Sequence, residues 1–264
     1  MKKYKILVLS DLNNNTDSIL KSTVSLSKII DADICFFHVK KPTDIVKSES
    51  QLSAMRTLNK EHIVTNNKIQ DFLDPFSKSY DLDIKFNFNF GNVKQEIKEH
   101  IKIINPDIIV LGKRKSKAIK LIGDNITGFV LKTFKGPVMI ASYENMIEPK
   151  KEFQLGLLNT MEKSFETTTI LENLIAKAQT PLRSFNIIES NKDKKKSDVS
   201  ETQNIVNYDF EKNDNTSKNL SQYLIKNKVN LLCLNRVDNN KKSKVLKSEM
   251  KDIIDKVDIS LFVH

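Results

Sequence analysis

The sequence is short of the residues that staple, ligate or span. It has two cysteines and four histidines in 264 residues. Cys35 and Cys233 lie far apart in the apolar runs DICFFHV and LLCLN. That excludes a disulfide framework and points to two buried thiols. The histidines are scattered, with no HExxH or CxxC spacing, so no metal site is expected. No apolar run approaches the roughly 18 residues of a membrane-spanning helix. The N-terminal stretch MKKYKILVLSDLNNN has too short an apolar core for a signal peptide. Asp11 also follows where a small-residue cleavage site would stand. The stretch reads as a first strand, and a cytoplasmic protein without membrane insertion is the expectation.

What is abundant is charge. Lysine and arginine number 43 against 33 acidic residues, a net charge of +10. Such a balance can mark a polyanion partner. Here Lys, Asn and Ile are abundant everywhere, as an AT-biased coding sequence would give, and the positive charge forms no single stripe. Aromatic residues are not interleaved on a basic face, so a nucleic-acid partner is not expected.

The first half alternates strand and helix. KILVLSD (5–11), ADICFFHVK (32–40), KFNFNFG (85–91), 107–112 and PVMIAS (137–142) read as strands. Helices are predicted over 16–30, with Thr16 or Asp17 as N-cap, over 50–80 with a break at Pro75, and over 93–103 and 123–133. Strands separated by helices, without tight hairpins, imply right-handed crossovers and a parallel sheet covered on both faces.

Polar YENMIEPKKE (143–152) reads as a linker, after which the order starts again. Strands are predicted at 153–159, 182–190, 205–211, 229–235 and 258–264, and helices at 165–178, 220–228 and 244–256. NPDIIVLGKRK matches KVNLLCLNRVD in pattern, KSKAIK matches KSKVLK, and FKGPVMIAS matches KVDISLFVH. The fold class expected is α/β: two doubly wound five-stranded parallel-sheet domains of order 3-2-1-4-5, over 1–145 and 152–264.

In such a sheet a ligand binds beyond the carboxyl ends of the strands, where their order reverses. The residues arriving there are Ser10, Asp11 and Leu12 from strand one and Gly112, Lys113 and Arg114 from strand four, with Val39 and Lys40 nearby. IVLGKRKSK (109–117) puts a glycine and then a cluster of cations, including Lys115 and Lys117, at a strand end. A helix N-terminus around 124–127, with Asn125 and Ile126, would complete an anion site through its free N–H groups. Each residue also has a plain structural reading. Asp11 and Asn125 can cap turns and helices, Gly112 can make a tight turn, the cations can face water, and His38 can be a packed strand-end residue. No pair of carboxylates or of nucleophile and base is spaced for catalysis, and a non-enzymatic binding protein is expected.

The combination is familiar. KILVLSD with Asp11, DICFFHV with His38 and Val39, Gly91 and Ile97 in GNVKQEI, PDIIVLGKR and GPVMIAS together resemble the universal stress protein family over nearly all of 1–142. The second half resembles a degenerate copy. The resemblance implies a five-stranded parallel sheet, pairing through strand five and a role in stress adaptation. Some members of the family bind ATP, through Gly-x-x-Gly, a spacer, and a further Gly before Ser or Thr. Here Gly112 fits the first position and Lys115 replaces the second glycine. Asp124 and Asn125 stand for the last pair, unless Gly123 serves with the helix starting earlier. Asp11 and Val39 match positions that hold adenosine. ATP or AMP is thus the implied ligand of the first half, with Mg²⁺ only alongside a nucleotide.

The second half keeps only Gly156, and its first strand ends at Leu158-Asn159 without an aspartate. It is expected to bind no nucleotide and to serve as an internal pseudo-dimer partner, with a homodimer as a further option. An interaction scaffold of the same fold, without ligand, is the alternative function.

Overall fold

Ile6, Leu7 and Val8 are wholly inaccessible to solvent, as are Ile108, Ile109 and Val110. Strands without a polar face need helices over both sides of their sheet, and the chain supplies them. The computed structural model describes residues 3–12, 16–41, 51–113, 125–159, 168–188, 205–236 and 243–264. The first half runs β1 (Tyr4–Leu9), α1 (Thr16–Ile30), β2 (Ala32–Lys40), α2 (Gln51–Tyr80), β3 (Ile84–Phe90), α3 (Val93–Ile104), β4 (Ile108–Gly112), α4 (Ile126–Thr133) and β5 (Val138–Ala141). The second runs β6 (Leu155–Leu158), α5 (Thr169–Lys177), β7 (Leu182–Ile188), β8 (Ile205–Glu211), α6 (Thr216–Lys226), β9 (Leu231–Leu234), α7 (Ser243–Lys256) and β10 (Ser260–Val263).

Two compact units result. One comprises the chain up to Gly112 together with α4. Its strands lie in the order β3-β2-β1-β4, all parallel. The other comprises Lys113 and the chain from Pro137 onward. Its order is β5-β10-β9-β6-β7-β8, parallel except for β5, which runs antiparallel to β10 with Met139 opposite Phe262. The run β8-β7-β6-β9-β10 has the reversal after its third strand that β3-β2-β1-β4 has, so the repeat seen in the sequence is also one of topology. The doubly wound α/β class with order 3-2-1-4-5 is the class the chain has.

In the first unit Leu9 pairs with Phe37 on one side and Leu111 on the other. The carboxyl ends of β1, β2 and β4 therefore emerge at one level. The two faces of β2 meet different helices, and on the α2 side Lys40 Nζ donates to Glu61 Oε2 at 2.6 Å. Phe37 stacks on His100 of α3, while β3, whose Phe88 pairs with His38 in register, packs Phe88 and Phe90 on His62 of α2.

α1 spans the predicted 16–30, while its cap, the course of α2 and the start of α6 differ from expectation for identifiable reasons. Thr16 is not the cap of α1 but lies inside it, its hydroxyl 3.0 Å from Ser10 Oγ. α2 runs unbroken through Pro75. The carbonyl that Pro75 leaves without a donor, that of Asp71, belongs to an exposed turn where water can serve it. α6 starts four residues early, at Thr216 instead of Leu220. Thr216 Oγ1 accepts from Asn213 N at 2.6 Å and donates to Glu211 O at 2.9 Å, which buries a polar residue that periodicity assigns to a loop. Both cysteines are free thiols, Cys233 buried and Cys35 half-buried.

Candidate functional site

The reversal of strand order in the first unit falls between β1 and β4, and the turn Ser10-Asp11-Leu12 leaves the sheet there. Its backbone is fixed from several sides. Ser10 N donates to Phe37 O at 3.2 Å, one rung past the end of β1. Ser10 O lies 2.9 Å from His38 Nδ1. A carbonyl can only accept, so the proton is assigned to Nδ1. Ser10 Oγ accepts from Leu12 N at 3.2 Å and shares a hydrogen bond with Thr16 Oγ1. Leu12 has φ 58°, in the left-handed region that a non-glycine residue holds only when its surroundings enforce it. Between these ties Asp11 is exposed. His38 is buried, and burial lowers its pKa. The Ser10 bond and the Asp11 charge oppose that shift, while Lys40 and Lys68 add to it.

The other predicted residues divide. Val39 is half-buried at the end of β2, paired with Asn89. Gly112 does not have the positive φ expected of a phosphate loop. A Cβ there would stand 2.5 Å from Ile19 Cδ1, so the close approach of α1 accounts for the glycine. Lys113 turns its ammonium toward the second unit's own residues. Nζ donates to Val257 O and lies 3.7 Å from Asp258 Oδ1, and the side chain is only 12% exposed. Burial lowers its pKa, against the charges of Asp258 and Asp255. Asn125 is the N-cap of α4, its Oδ1 accepting from Gly128 N at 2.8 Å, and Ile126 is the first helical residue. Arg114, Lys115, Lys117, Gly123 and Asp124 lie outside the described residues.

A cavity of 570 Å³ adjoins the turn, lined by Leu12, Thr16 and the α2 residues Val64, Asn67, Lys68, Asp71 and Phe72. Its α2 lining was not legible in the sequence. The α2 residues form a stripe at helical spacing, but nothing in the sequence says that this stripe faces the start of α1. Among the described residues no three His, Cys, Asp or Glu side chains are grouped to hold a metal ion. No described helix is long and apolar enough to cross a membrane.

An exposed carboxylate at a strand end can accept hydrogen bonds from a vicinal diol such as a ribose. The free N–H groups at the start of α4 can receive an anion. Lys113, the first cation after β4, is engaged elsewhere. At the matching point of the second unit, Asn159 replaces Ser10. Asn159 N donates to Phe185 O at 2.7 Å, and its own Oδ1 accepts from Ile187 N at 3.0 Å.

Fold and site together define a doubly wound α/β protein with an exposed carboxylate, Asp11, where the strand order reverses. The sequence model of the universal stress protein family matches residues 4–142, and the chain belongs to that family. Among solved structures, a universal stress protein from Archaeoglobus fulgidus DSM 4304 is similar over 100% of this chain and 98% of its own, with 13% identity and a TM-score of 0.69. A protein provisionally described as a universal stress protein, from Pseudomonas aeruginosa UCBPP-PA14, is similar over 99% of this chain and 92% of its own, with 10% identity and a TM-score of 0.62. At such identities the likeness is one of fold. No curated protein matches the chain.

Proposed function

We propose that this stress-response protein binds an adenine nucleotide in its first unit through the adenosine side, with little contribution from the phosphates. One observation carries the reading. Asp11 stands exposed at the strand-order reversal, whereas the first cation after β4, Lys113, is turned to Val257 O and Asp258. Asp11 and Val39 would hold the nucleoside, with Gly112, Asn125 and Ile126 bordering it. Leu12 extends the same side into the cavity on α2. Arg114, Lys115 and Gly123 stay in the proposal as phosphate-side residues. Mg²⁺ enters only as a companion of the nucleotide. The protein is proposed as a cytoplasmic binding protein, not an enzyme.

Calorimetric titration of nucleotide-stripped protein with adenosine, AMP and ATP, with and without Mg²⁺, tests this. AMP is expected to bind within about threefold of ATP, because even one charged contact to the outer phosphates, at about 1.5–3 kcal/mol, would separate the two by about tenfold or more. Asp11→Ala should abolish both. ATP binding far more tightly than AMP would mean that the phosphate loop works. No heat with any of the three would favour the second reading, an interaction scaffold. What supports that reading is Gly112, which packing against Ile19 explains without a ligand. Protein partners and a homodimer belong to it.

A further inference from the structure

The β1–β2 ladder ends on a side chain. His38 is the residue beside Phe37, whose carbonyl takes the last backbone rung from Ser10 N. His38 Nδ1 then takes Ser10 O at 2.9 Å, across 28 residues of sequence. Ser10 is thereby held at its nitrogen, its carbonyl and its hydroxyl. The hydroxyl in turn holds Leu12 N, at a residue whose φ of 58° would otherwise relax. Asp11 lies between the two tied residues, so the direction of its carboxylate follows from the bonds on either side. Of these ties, the His38 bond is made by a side chain from a different strand, and it can be removed without deleting backbone.

We propose that His38 is a positioning residue for ligand binding: its Nδ1–H fixes the Ser10 carbonyl and so aims the Asp11 carboxylate at the nucleoside. This rests on the adenosine reading above. His38 itself touches no ligand in this scheme. Its ring volume matters less than its donor, and this separates positioning from packing. Phenylalanine keeps the ring and loses the donor. Asparagine loses most of the ring, but its Nδ2 stands near the place of the imidazole Nδ1 and can donate to the same carbonyl.

The test is AMP titration of wild type, His38→Phe and His38→Asn, with amide hydrogen exchange at Leu12 measured on the unliganded proteins. His38→Phe is expected to weaken AMP binding about tenfold, the scale of one hydrogen bond, and to speed exchange at Leu12. His38→Asn should stay within about threefold of wild type on the same scale. Wild-type binding with unchanged affinity in His38→Phe overturns the inference. Equal weakening in both variants also overturns it, because that outcome follows lost packing and not a lost donor. If wild type takes no AMP, the adenosine reading falls first, and the Leu12 exchange then decides separately. Unchanged exchange in His38→Phe would mean that His38 does not fix the turn at all.

Discussion

A methyl group at position 112 would stand 2.5 Å from the end of the Ile19 side chain, a contact that rotation or loss of Cδ1 relieves. Gly112→Ala should therefore destabilise by about 1 kcal/mol, the low end of overpacking costs. Ile19→Val in the same chain should recover most of that, giving a favourable coupling in a urea double-mutant cycle. Lack of recovery would mean that the backbone at 112, not Ile19, demands glycine. His100 poses a different question at the same scale. Its ring stacks on Phe37 with centroids 3.8 Å apart, and Nε2 is buried without a hydrogen-bond partner. Burial lowers its pKa below the ordinary 6.5. The unfolded chain then binds more protons than the folded one between the lowered value and 6.5, so stability rises with pH across that window. Acidification from pH 6.5 downward should lower the urea midpoint until the folded value is passed. His38 and His264 shift in the same direction and should steepen the fall. His100→Phe should make it shallower by at most about 1.4 kcal/mol per pH unit. An unchanged slope would assign the acid sensitivity to other groups.

Helix ends carry the next prediction. Asn92 Oδ1 accepts from Gln95 N at 3.2 Å at the start of α3, as Asn125 Oδ1 does from Gly128 N at α4. Asn92→Ala should lose about 1 kcal/mol in thermal or urea unfolding, the usual worth of such a cap. Asn125→Ala should lose a similar amount. If it also leaves AMP affinity unchanged, Asn125 is a cap and not a ligand residue. Elements of this kind were legible where the pattern was physical and local. Buried strands such as 6–9 and 108–111 have no polar face, so apolar runs marked them, and α3 showed its apolar stripe. The cap of α1 and the start of α6 were misplaced because Thr16 and Thr216 are buried with local hydroxyl bonds that no periodicity records. The site was legible in the same degree. Asp11 and Gly112 stand at the ends of apolar runs and could be placed at the reversal of strand order. The direction of Lys113 could not, because its acceptor at Val257 is 144 residues away. The tie of His38 to Ser10 depends on strand register, which the sequence did not supply.

Across the whole chain, the two halves repeat a topology, but among the described residues their first strands end differently. Ser10 and Asn159 occupy the same rung, each donating its N–H to a fully buried phenylalanine position, Phe37 or Phe185. Beyond that rung they part. In the first half the next β2 residue is His38, the turn is tied outward from the sheet, and a carboxylate follows it. In the second half the next residue is Asn186, whose Nδ2 donates to Asp209 Oδ1 at 3.1 Å, and Asn159 turns its own oxygen back to Ile187 N. Among the described residues, the polar groups of the second strand end thus serve the sheet, and none of them corresponds to Asp11. If the adenosine reading holds, a titration of the full chain with AMP should saturate at a single equivalent. Asp11→Asn, which keeps the size and removes the charge, should lower that one affinity and reveal no second site. Two equivalents in wild type, or an equivalent that survives in Asp11→Asn with its affinity intact, would place a working site in the second half. Asn159 and Asn186 would then be the residues to vary, since Asn159 follows β6, where the strand order reverses toward β9, and Asn186 lies on the neighbouring β7.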